Sequence, residues 1–163
     1  MYKRQLLPQA EYRIACDTAL FSLNTNHGIR PQRGEYAYLV HPGISTVSTV
    51  AKYAADLPIK ILANTEKIQA ARHEKLGITE IIFYQPGELR LENGDILATD
   101  TPCALLWKEK EEKIHAANPR CESKNPGKIT ITLTQSGQTK QISFEMPQKE
   151  EAGKSCTAPL YRN

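Results

Sequence analysis

The sequence has few large aromatic residues and no long apolar run. Its 163 residues include one Trp and three Phe beside seven Tyr, so a surface that stacks on bases or sugars would depend mainly on tyrosine. A membrane-spanning helix needs about 20 consecutive apolar residues, and no stretch approaches that length, which predicts no membrane span. The N-terminal residues also lack the apolar core of about 7 to 15 residues that marks a secretory signal.

An excess of one charge is missing as well. The chain has 21 Lys and Arg against 18 Asp and Glu, a formal net charge of +3, and these charges are scattered along the sequence. Domains that bind nucleic acid concentrate positive charge on one face or along one helix. We therefore expect that nucleic acid is not a partner.

The four cysteines, at positions 16, 103, 121 and 156, form no CxxC pair, and no two histidines have the spacing of a zinc site. No phosphate-binding glycine loop, HExxH or GxSxG pattern is present. We therefore expect no metal, no cofactor and no catalytic residue in this chain. Cys103 opens the apolar run 103–107, which favours a buried thiol over a reactive one. The sequence leaves open whether the four cysteines form disulfide bonds or are free thiols.

The remaining composition, 40% hydrophobic and 24% charged, is typical of a globular protein. Alternation and turn-forming residues predict two strands at 12–23 and 35–41, joined by a loop. Over residues 45–57 apolar residues recur every three or four positions, which predicts a helix capped by one of its first two residues and ended by Pro58. Two strands and one short helix cannot bury their own apolar area, so we expect residues 1–57 to pack on polypeptide outside this chain. The alternative is a small mixed domain in which the helix covers the sandwich.

After Pro58 the sequence predicts β-structure throughout. Short apolar segments are separated by turn residues every 8 to 12 positions or so, a spacing typical of a β-sandwich. Alternation is clearest at 128–134 and 142–146, where one side of each strand is apolar. We therefore predict an antiparallel sandwich over residues 58–147. Residues 148–163 begin with a charged stretch without periodicity, which predicts a mobile tail.

His27 is the most site-like residue, because Arg30 and Arg33 follow it closely and an imidazole beside two guanidinium groups suits a carboxylated or sulfated ligand. The alternative is that His27 only completes its turn and the arginines are solvated. Trp107 is a further candidate because its ring could stack on a sugar, although aromatic residues on strands are more often core residues. The sequence thus predicts a carbohydrate contact at these four residues, with loop structure and core packing as the alternative.

Four segments, in this order and spacing, resemble the C-terminal part of polysaccharide lyase family 8, the chondroitin, hyaluronate and xanthan lyases. Residues 26–31 (NHGIRP) lead into 35–43 (EYAYLVHPG), and 61–72 (ILANTEKIQAAR) precede 83–87 (FYQPG). In that family an HGxxP turn precedes a YxY strand that ends in Pro, a short helix follows, and an LxNT segment opens the last domain. The resemblance covers about residues 12 to 110.

The resemblance implies a mainly β fold in two parts. Residues 1–57 would be the last strands and helix of an antiparallel β-supersandwich, the central domain of these lyases. Residues 58–147 would form the small C-terminal antiparallel β-sandwich, followed by the tail 148–163. The central domain is incomplete in this chain on that interpretation.

The resemblance also implies a function. Lyases of this family cleave uronate-containing polymers by β-elimination, with catalytic Asn, His, Tyr and Arg residues in an N-terminal helical toroid, and no position here matches them. The chain would be a non-catalytic part of a secreted or periplasmic enzyme, inactive alone, which braces the central β domain. Its partners would be the upstream domains and, through the whole enzyme, an acidic polysaccharide. A carbohydrate-binding sandwich and an unrelated β-rich interaction module remain as alternatives.

Overall fold

The computed structural model describes residues 26–30, 32, 34–44, 46–120 and 127–160. These residues divide between two units, one ending at Leu39 and the other beginning at Val40, and each unit is described by itself. The strand predicted at 12–23 and the candidate Arg33 lie outside the described residues. The sequence predicts a boundary between residues 57 and 58, whereas the second unit begins earlier and contains the helix as well as the sandwich.

The predicted strand at 35–41 is not a strand in the structure. Residues 34–41 have no regular secondary structure, and all of them are exposed. A strand is defined by hydrogen bonds to a neighbouring strand, and none of the described strands pairs with this stretch. The alternation at 35–41 is typical of a strand, but alternation alone does not provide the neighbouring strand that a strand needs for its hydrogen bonds.

The helix α1 spans Val47–Ala55, within the predicted range. Thr46 caps it, because the Thr46 hydroxyl accepts a hydrogen bond from the backbone N–H of Thr49 at 3.3 Å. None of its residues is buried: Val47 is 86% exposed and Val50 is 52% exposed. Among the described residues no helix is long and apolar enough to cross a membrane.

The described residues of the second unit form ten strands in two antiparallel sheets, as the sequence predicted for its β-rich part. In chain order the strands are β1 Ile59–Asn64, β2 Ile68–His73, β3 Ile78–Phe83, β4 Gly87–Arg90, β5 Ile96–Thr99, β6 Cys103–Lys108, β7 Lys113–Ala117, β8 Lys128–Gln135, β9 Gln138–Glu145 and β10 Cys156–Pro159. One sheet has the order β1-β2-β3-β6-β7-β10, and the other has the order β4-β5-β8-β9. The register between β1 and β2 shifts between Ile61 and Ala63, which places a bulge at Leu62.

The core lies between the two sheets and is formed by every second residue of their strands. Burial alternates along β6 and along residues 128–134 of β8, as expected for strands with one face on the core. The largest fully buried hydrophobic side chains come from both sheets: Phe83, Ile81, Leu97, Ile114, Ile129 and Ile131. This unit therefore has a hydrophobic core of its own.

The C-terminal residues differ from the mobile tail predicted at 148–163. β10 pairs antiparallel with β7, and the backbone N–H of Leu160 donates to the carbonyl of Glu112 at 2.6 Å. The Leu160 side chain is buried against the core. A four-residue strand that ends in proline is too short to show periodicity, which is why the sequence did not predict it.

Candidate functional site

His27 lies in a tight turn of the first unit. The Asn26 side-chain oxygen accepts a hydrogen bond from the backbone N–H of Gly28 at 2.8 Å, and Gly28 has a φ of 81°, in the left-handed region that favours glycine. The His27 ring lies on Gly34, where a Cβ atom would come within 3.0 Å of Nδ1. The two glycines therefore allow the turn and the close approach of the ring.

Two tyrosines extend the histidine into a row of rings. The ring centroids of His27 and Tyr36 are 5.6 Å apart, and those of Tyr36 and Tyr38 are 6.4 Å apart with an interplanar angle of 9°. Tyr36 is 61% exposed and Tyr38 is 71% exposed. Residues two apart in an extended chain point to the same side, so the YxY spacing was the available signal for this row.

The arginine candidates are only partly described. Arg30 is exposed and has a φ of 54°, a left-handed conformation that is uncommon for a residue with a Cβ atom. It is part of the same turn as His27. Arg33 lies outside the described residues, so its place beside His27 stays a prediction.

Trp107, the fourth candidate, is a core residue of the second unit. It lies on β6 between Thr79 of β3 and Ile114 of β7, and only 5% of it is exposed. Its ring packs between the sheets and is not available at the sandwich surface to stack on a sugar. The predicted carbohydrate contact therefore depends on the three other candidates, His27, Arg30 and Arg33.

Cys103 is a structural thiol, as its apolar surroundings predicted. It is fully buried, and burial raises its pKa to about 11, although a hydrogen bond to the Thr99 hydroxyl acts in the opposite direction. A thiol with so high a pKa carries almost no nucleophilic thiolate at neutral pH. Cys103 and Cys156 are both free thiols.

The other polar groups of the sandwich are arranged for structure. Nδ1 of His115 lies 2.7 Å from the Thr157 hydroxyl, a hydrogen bond that links β7 to β10. Arg72 and Glu109 form an ion pair in which NH1 lies 2.7 Å from Oε1. Within the described residues no group of three or more His, Cys, Asp and Glu side chains is placed to hold a metal ion.

A comparison with known proteins finds the same β-sandwich architecture. Residues 60–126 match the family model described as polysaccharide lyase family 8, C-terminal beta-sandwich domain. The chain is 39% identical over 136 residues to a chondroitinase-AC of Pedobacter heparinus, a match that covers 82% of this chain and 19% of that protein. This chain belongs to polysaccharide lyase family 8 and corresponds to the C-terminal region of its members.

Further members of family 8 match the same region. A hyaluronate lyase of Thermasporomyces composti is 28% identical over 75% of this chain, and a xanthan lyase of a Bacillus species is 26% identical over 69%. The chain spans between 12 and 19% of these three relatives.

Two solved structures of family 8 enzymes share the fold. A chondroitinase AC lyase studied with bound oligosaccharides superposes with a TM-score of 0.63 and 32% identity, over 72% of this chain and 17% of that one. A Paenibacillus xanthan lyase gives a TM-score of 0.57 at 24% identity, over 69% of this chain and 12% of that one, which supports the fold alone. The fold class and the family predicted from the sequence are confirmed.

Proposed function

We propose that this chain is the C-terminal, non-catalytic part of a polysaccharide lyase and that it braces the central β domain of that enzyme. The observation that carries the proposal is the exposure of apolar residues before the sandwich. In the first unit Ile29 is 96% exposed, and in the second unit Val40 is 76% exposed. Together with the exposed valines of α1, these side chains are suited to burial against further polypeptide.

The chemistry of β-elimination supports a non-catalytic role. Removal of the proton next to a uronate carboxylate needs a group that neutralises the growing negative charge, a base, and an acid for the leaving oxygen. Within the described residues, the buried polar groups of the sandwich are Thr79, Asp95 and Thr99, and none of them forms such a set. The catalytic groups would come from the toroid and the rest of the central domain.

The proposal extends to the whole enzyme. Its substrate would be an acidic polysaccharide, the class to which the chondroitinase, hyaluronate lyase and xanthan lyase relatives point by name. Its compartment would be secreted or periplasmic, where such polymers are encountered. Both statements rest on the family and not on a residue of this chain.

The isolated chain is expected to be inactive. Incubation with chondroitin sulfate or hyaluronan should give no rise in the ultraviolet absorbance of unsaturated uronate, because no elimination machinery is present. A saturable rise with the purified chain would contradict the non-catalytic role. The intact chondroitinase-AC of Pedobacter heparinus serves as the positive control.

Bracing is tested by reconstitution. The chondroitinase-AC from which the stretch aligned with this chain has been removed should bind the 163-residue chain and become more resistant to heat, because binding only the folded state stabilises it. Titration calorimetry measures the binding, and the half-life of lyase activity at elevated temperature measures the bracing. Absence of binding overturns the proposal.

A carbohydrate contact at the His27 turn is the second candidate function. The exposed row of His27, Tyr36 and Tyr38 favours it, because tyrosine rings offer an apolar face together with a polar hydroxyl. Arg30 and Arg33 would supply charge for a carboxylate or sulfate group.

Affinity electrophoresis in a gel containing chondroitin sulfate tests this contact. Retardation of the chain should be lost in His27→Ala and Arg30→Ala and retained in Arg90→Ala, which removes an exposed arginine of β4 that is paired with Glu88. Equal migration of all four proteins in gels with and without the polymer would count against the contact. Retention of bracing with loss of the contact would leave the first proposal intact.

A further inference from the structure

The turn between β4 and β5 contains the one Asn-Gly pair of the sequence, Asn93 and Gly94. An asparagine followed by glycine is especially prone to spontaneous deamidation, because glycine has no side chain to shield the backbone nitrogen that attacks the asparagine side chain. Both residues are exposed to solvent. Their reactivity in the folded chain therefore depends on the hydrogen bonds of the turn.

The backbone of the turn holds the nitrogen that would attack. Gly94 has a φ of 87°, a left-handed conformation of the kind that closes a tight hairpin. Its N–H donates to the carbonyl of Leu91 at 3.0 Å, and the N–H of Leu91 donates to the carbonyl of Asp95 at 2.8 Å. An amide nitrogen becomes a nucleophile only when it loses its proton, and here the Leu91 carbonyl holds that proton. The closed turn therefore keeps the nitrogen unreactive.

The Asn93 side chain is held at both of its polar atoms by one residue. Its Oδ1 accepts a hydrogen bond from the backbone N–H of Asp95 at 3.1 Å, and its Nδ2 donates to Oδ2 of Asp95 at 3.0 Å. One atom accepts and the other donates, so only one orientation of the amide satisfies both bonds. The side chain therefore has a single defined position in the closed turn.

Asp95 is itself fixed by a neighbouring strand. It is only 7% exposed, and its Oδ2 accepts a second hydrogen bond, from Nε2 of Gln135 on β8 at 2.8 Å. A buried carboxylate lowers stability unless hydrogen bonds satisfy it, and two side-chain amides do so here. Asp95 and Gln135 thus join the turn to the four-stranded sheet.

Deamidation removes a group on which this arrangement depends. The Gly94 nitrogen, after it loses its proton to water, attacks Cγ of Asn93. The bond from Cγ to Nδ2 breaks, and Nδ2 takes up a proton and leaves as ammonia. Water then opens the cyclic imide to give aspartate or isoaspartate. Asp95 thereby loses a hydrogen-bond donor and gains a second carboxylate beside it, and like charges at close range repel.

We propose that Asn93 is a deamidation site whose rate is set by opening of the turn between β4 and β5, and that Asp95 and Gln135 protect it while the turn is closed. Local opening exposes backbone amides to solvent without unfolding of the whole domain. Reaction in the open state is permanent, because the product lacks the amide that closes the turn. This modification is independent of the proposed lyase function.

The rate at Asn93 is measured by incubation of the full 163-residue chain at mildly alkaline pH and peptide mass spectrometry that distinguishes aspartate and isoaspartate from asparagine. Each protein is measured folded and unfolded in urea, so that the unfolded rate is its own reference. The wild type should react at least about tenfold more slowly when it is folded. Equal rates in the two states would overturn the proposal.

Variants of the two protecting residues identify the hydrogen bonds responsible. Asp95→Ala should raise the folded rate at Asn93 about tenfold or more, because it frees Nδ2 of the amide, and Gln135→Ala should raise it about fivefold. The matched control Gln141→Ala removes an exposed amide of β9 and should stay within about twofold of the wild type. A wild-type rate in Asp95→Ala would overturn the protecting role, and Gln135→Ala gives the same test if Asp95→Ala does not fold.

Leu160→Ala separates opening of the turn from unfolding of the whole domain. Leu160 is a buried residue that follows β10, in the sheet that does not contain the turn, so its truncation lowers stability at a distance from Asn93. The folded rate at Asn93 should stay within about twofold of the wild type. A rise in proportion to the loss of stability would show that Asn93 reacts only through unfolding of the whole domain, and the role of turn opening would be wrong.

Discussion

Thr79 is a buried polar residue of the sandwich. It is fully buried on β3 between Arg72 of β2 and Trp107 of β6, and its hydroxyl has no hydrogen-bond partner. A buried hydroxyl without a partner costs about 1 to 3 kcal/mol of stability. This side chain contributes volume to the core, and its hydroxyl opposes folding.

Replacement of the hydroxyl by a methyl group should therefore stabilise the domain. We expect Thr79→Val to raise the free energy of unfolding by about 1 kcal/mol, measured by urea denaturation. Thr99→Val is the matched control, because the Thr99 hydroxyl accepts from the N–H of Thr101 and donates to its carbonyl. That variant should lose about 1 kcal/mol. A Thr79→Val protein less stable than wild type would show that the hydroxyl is satisfied in solution.

Asp100 shows the opposite case, a carboxylate whose hydrogen bonds favour its charged form. Burial acts to raise the pKa of Asp100, but hydrogen bonds from the Thr101 hydroxyl at 2.8 Å and from the N–H of Thr130 at 3.2 Å act against it and lower the pKa below its ordinary value. The carboxylate thereby holds the loop after β5 against β8.

A lowered pKa in the folded state predicts a loss of stability in acid. The contribution of Asp100 is present above the unfolded pKa of about 4 and disappears as the pH falls through the folded value. Asp100→Asn should therefore be less stable than wild type at pH 7 by less than about 1 kcal/mol, because solvent screens the group, and the difference should shrink below about pH 4. A difference that is constant with pH, measured against the exposed control Glu150→Gln, would disprove the role of the charge.

At the scale of elements, long alternating strands were predicted more accurately than elements whose structure depends on pairing with a particular neighbour. β8, which the sequence predicts at 128–134, spans Lys128–Gln135, because alternating residues with a buried face leave a clear pattern. The cap of α1 at Thr46 is confirmed for the same local reason. The failures at 35–41 and at β10 have a different origin, since strand pairing leaves no local pattern. None of the described strands pairs with 35–41, and β10 pairs with β7, a strand much earlier in the chain.

The C-terminal strand is the element that can be tested most directly. Leu160 is 6% exposed, and truncation of a buried leucine to alanine costs about 2 to 5 kcal/mol. We expect Leu160→Ala to lower the free energy of unfolding by about 2 kcal/mol, near the low end because the residue lies at the margin of the core. Pro159→Ala, at the exposed neighbouring position, should change it little. Equal stability of Leu160→Ala and wild type would support the mobile tail.

At the scale of the whole molecule, the family and the sandwich could be predicted from the sequence, but the distribution of exposed groups could not. Short motifs such as HGIRP and LANT indicate ancestry without showing which faces are covered. Trp107 shows the limit for a single residue, because a strand position alone does not say whether a ring faces the core or the solvent. The structure resolves this through burial, because the Trp107 ring is only 5% exposed.

The bulge at Leu62 has a consequence for how such a molecule avoids unwanted assembly. β1 is an outermost strand, and an outermost strand with free backbone groups is a template on which further chains can add and aggregate. An extra residue there interrupts the regular row of amide and carbonyl groups and increases the local twist. The edge of the six-stranded sheet is thereby made a poor template for a growing fibril.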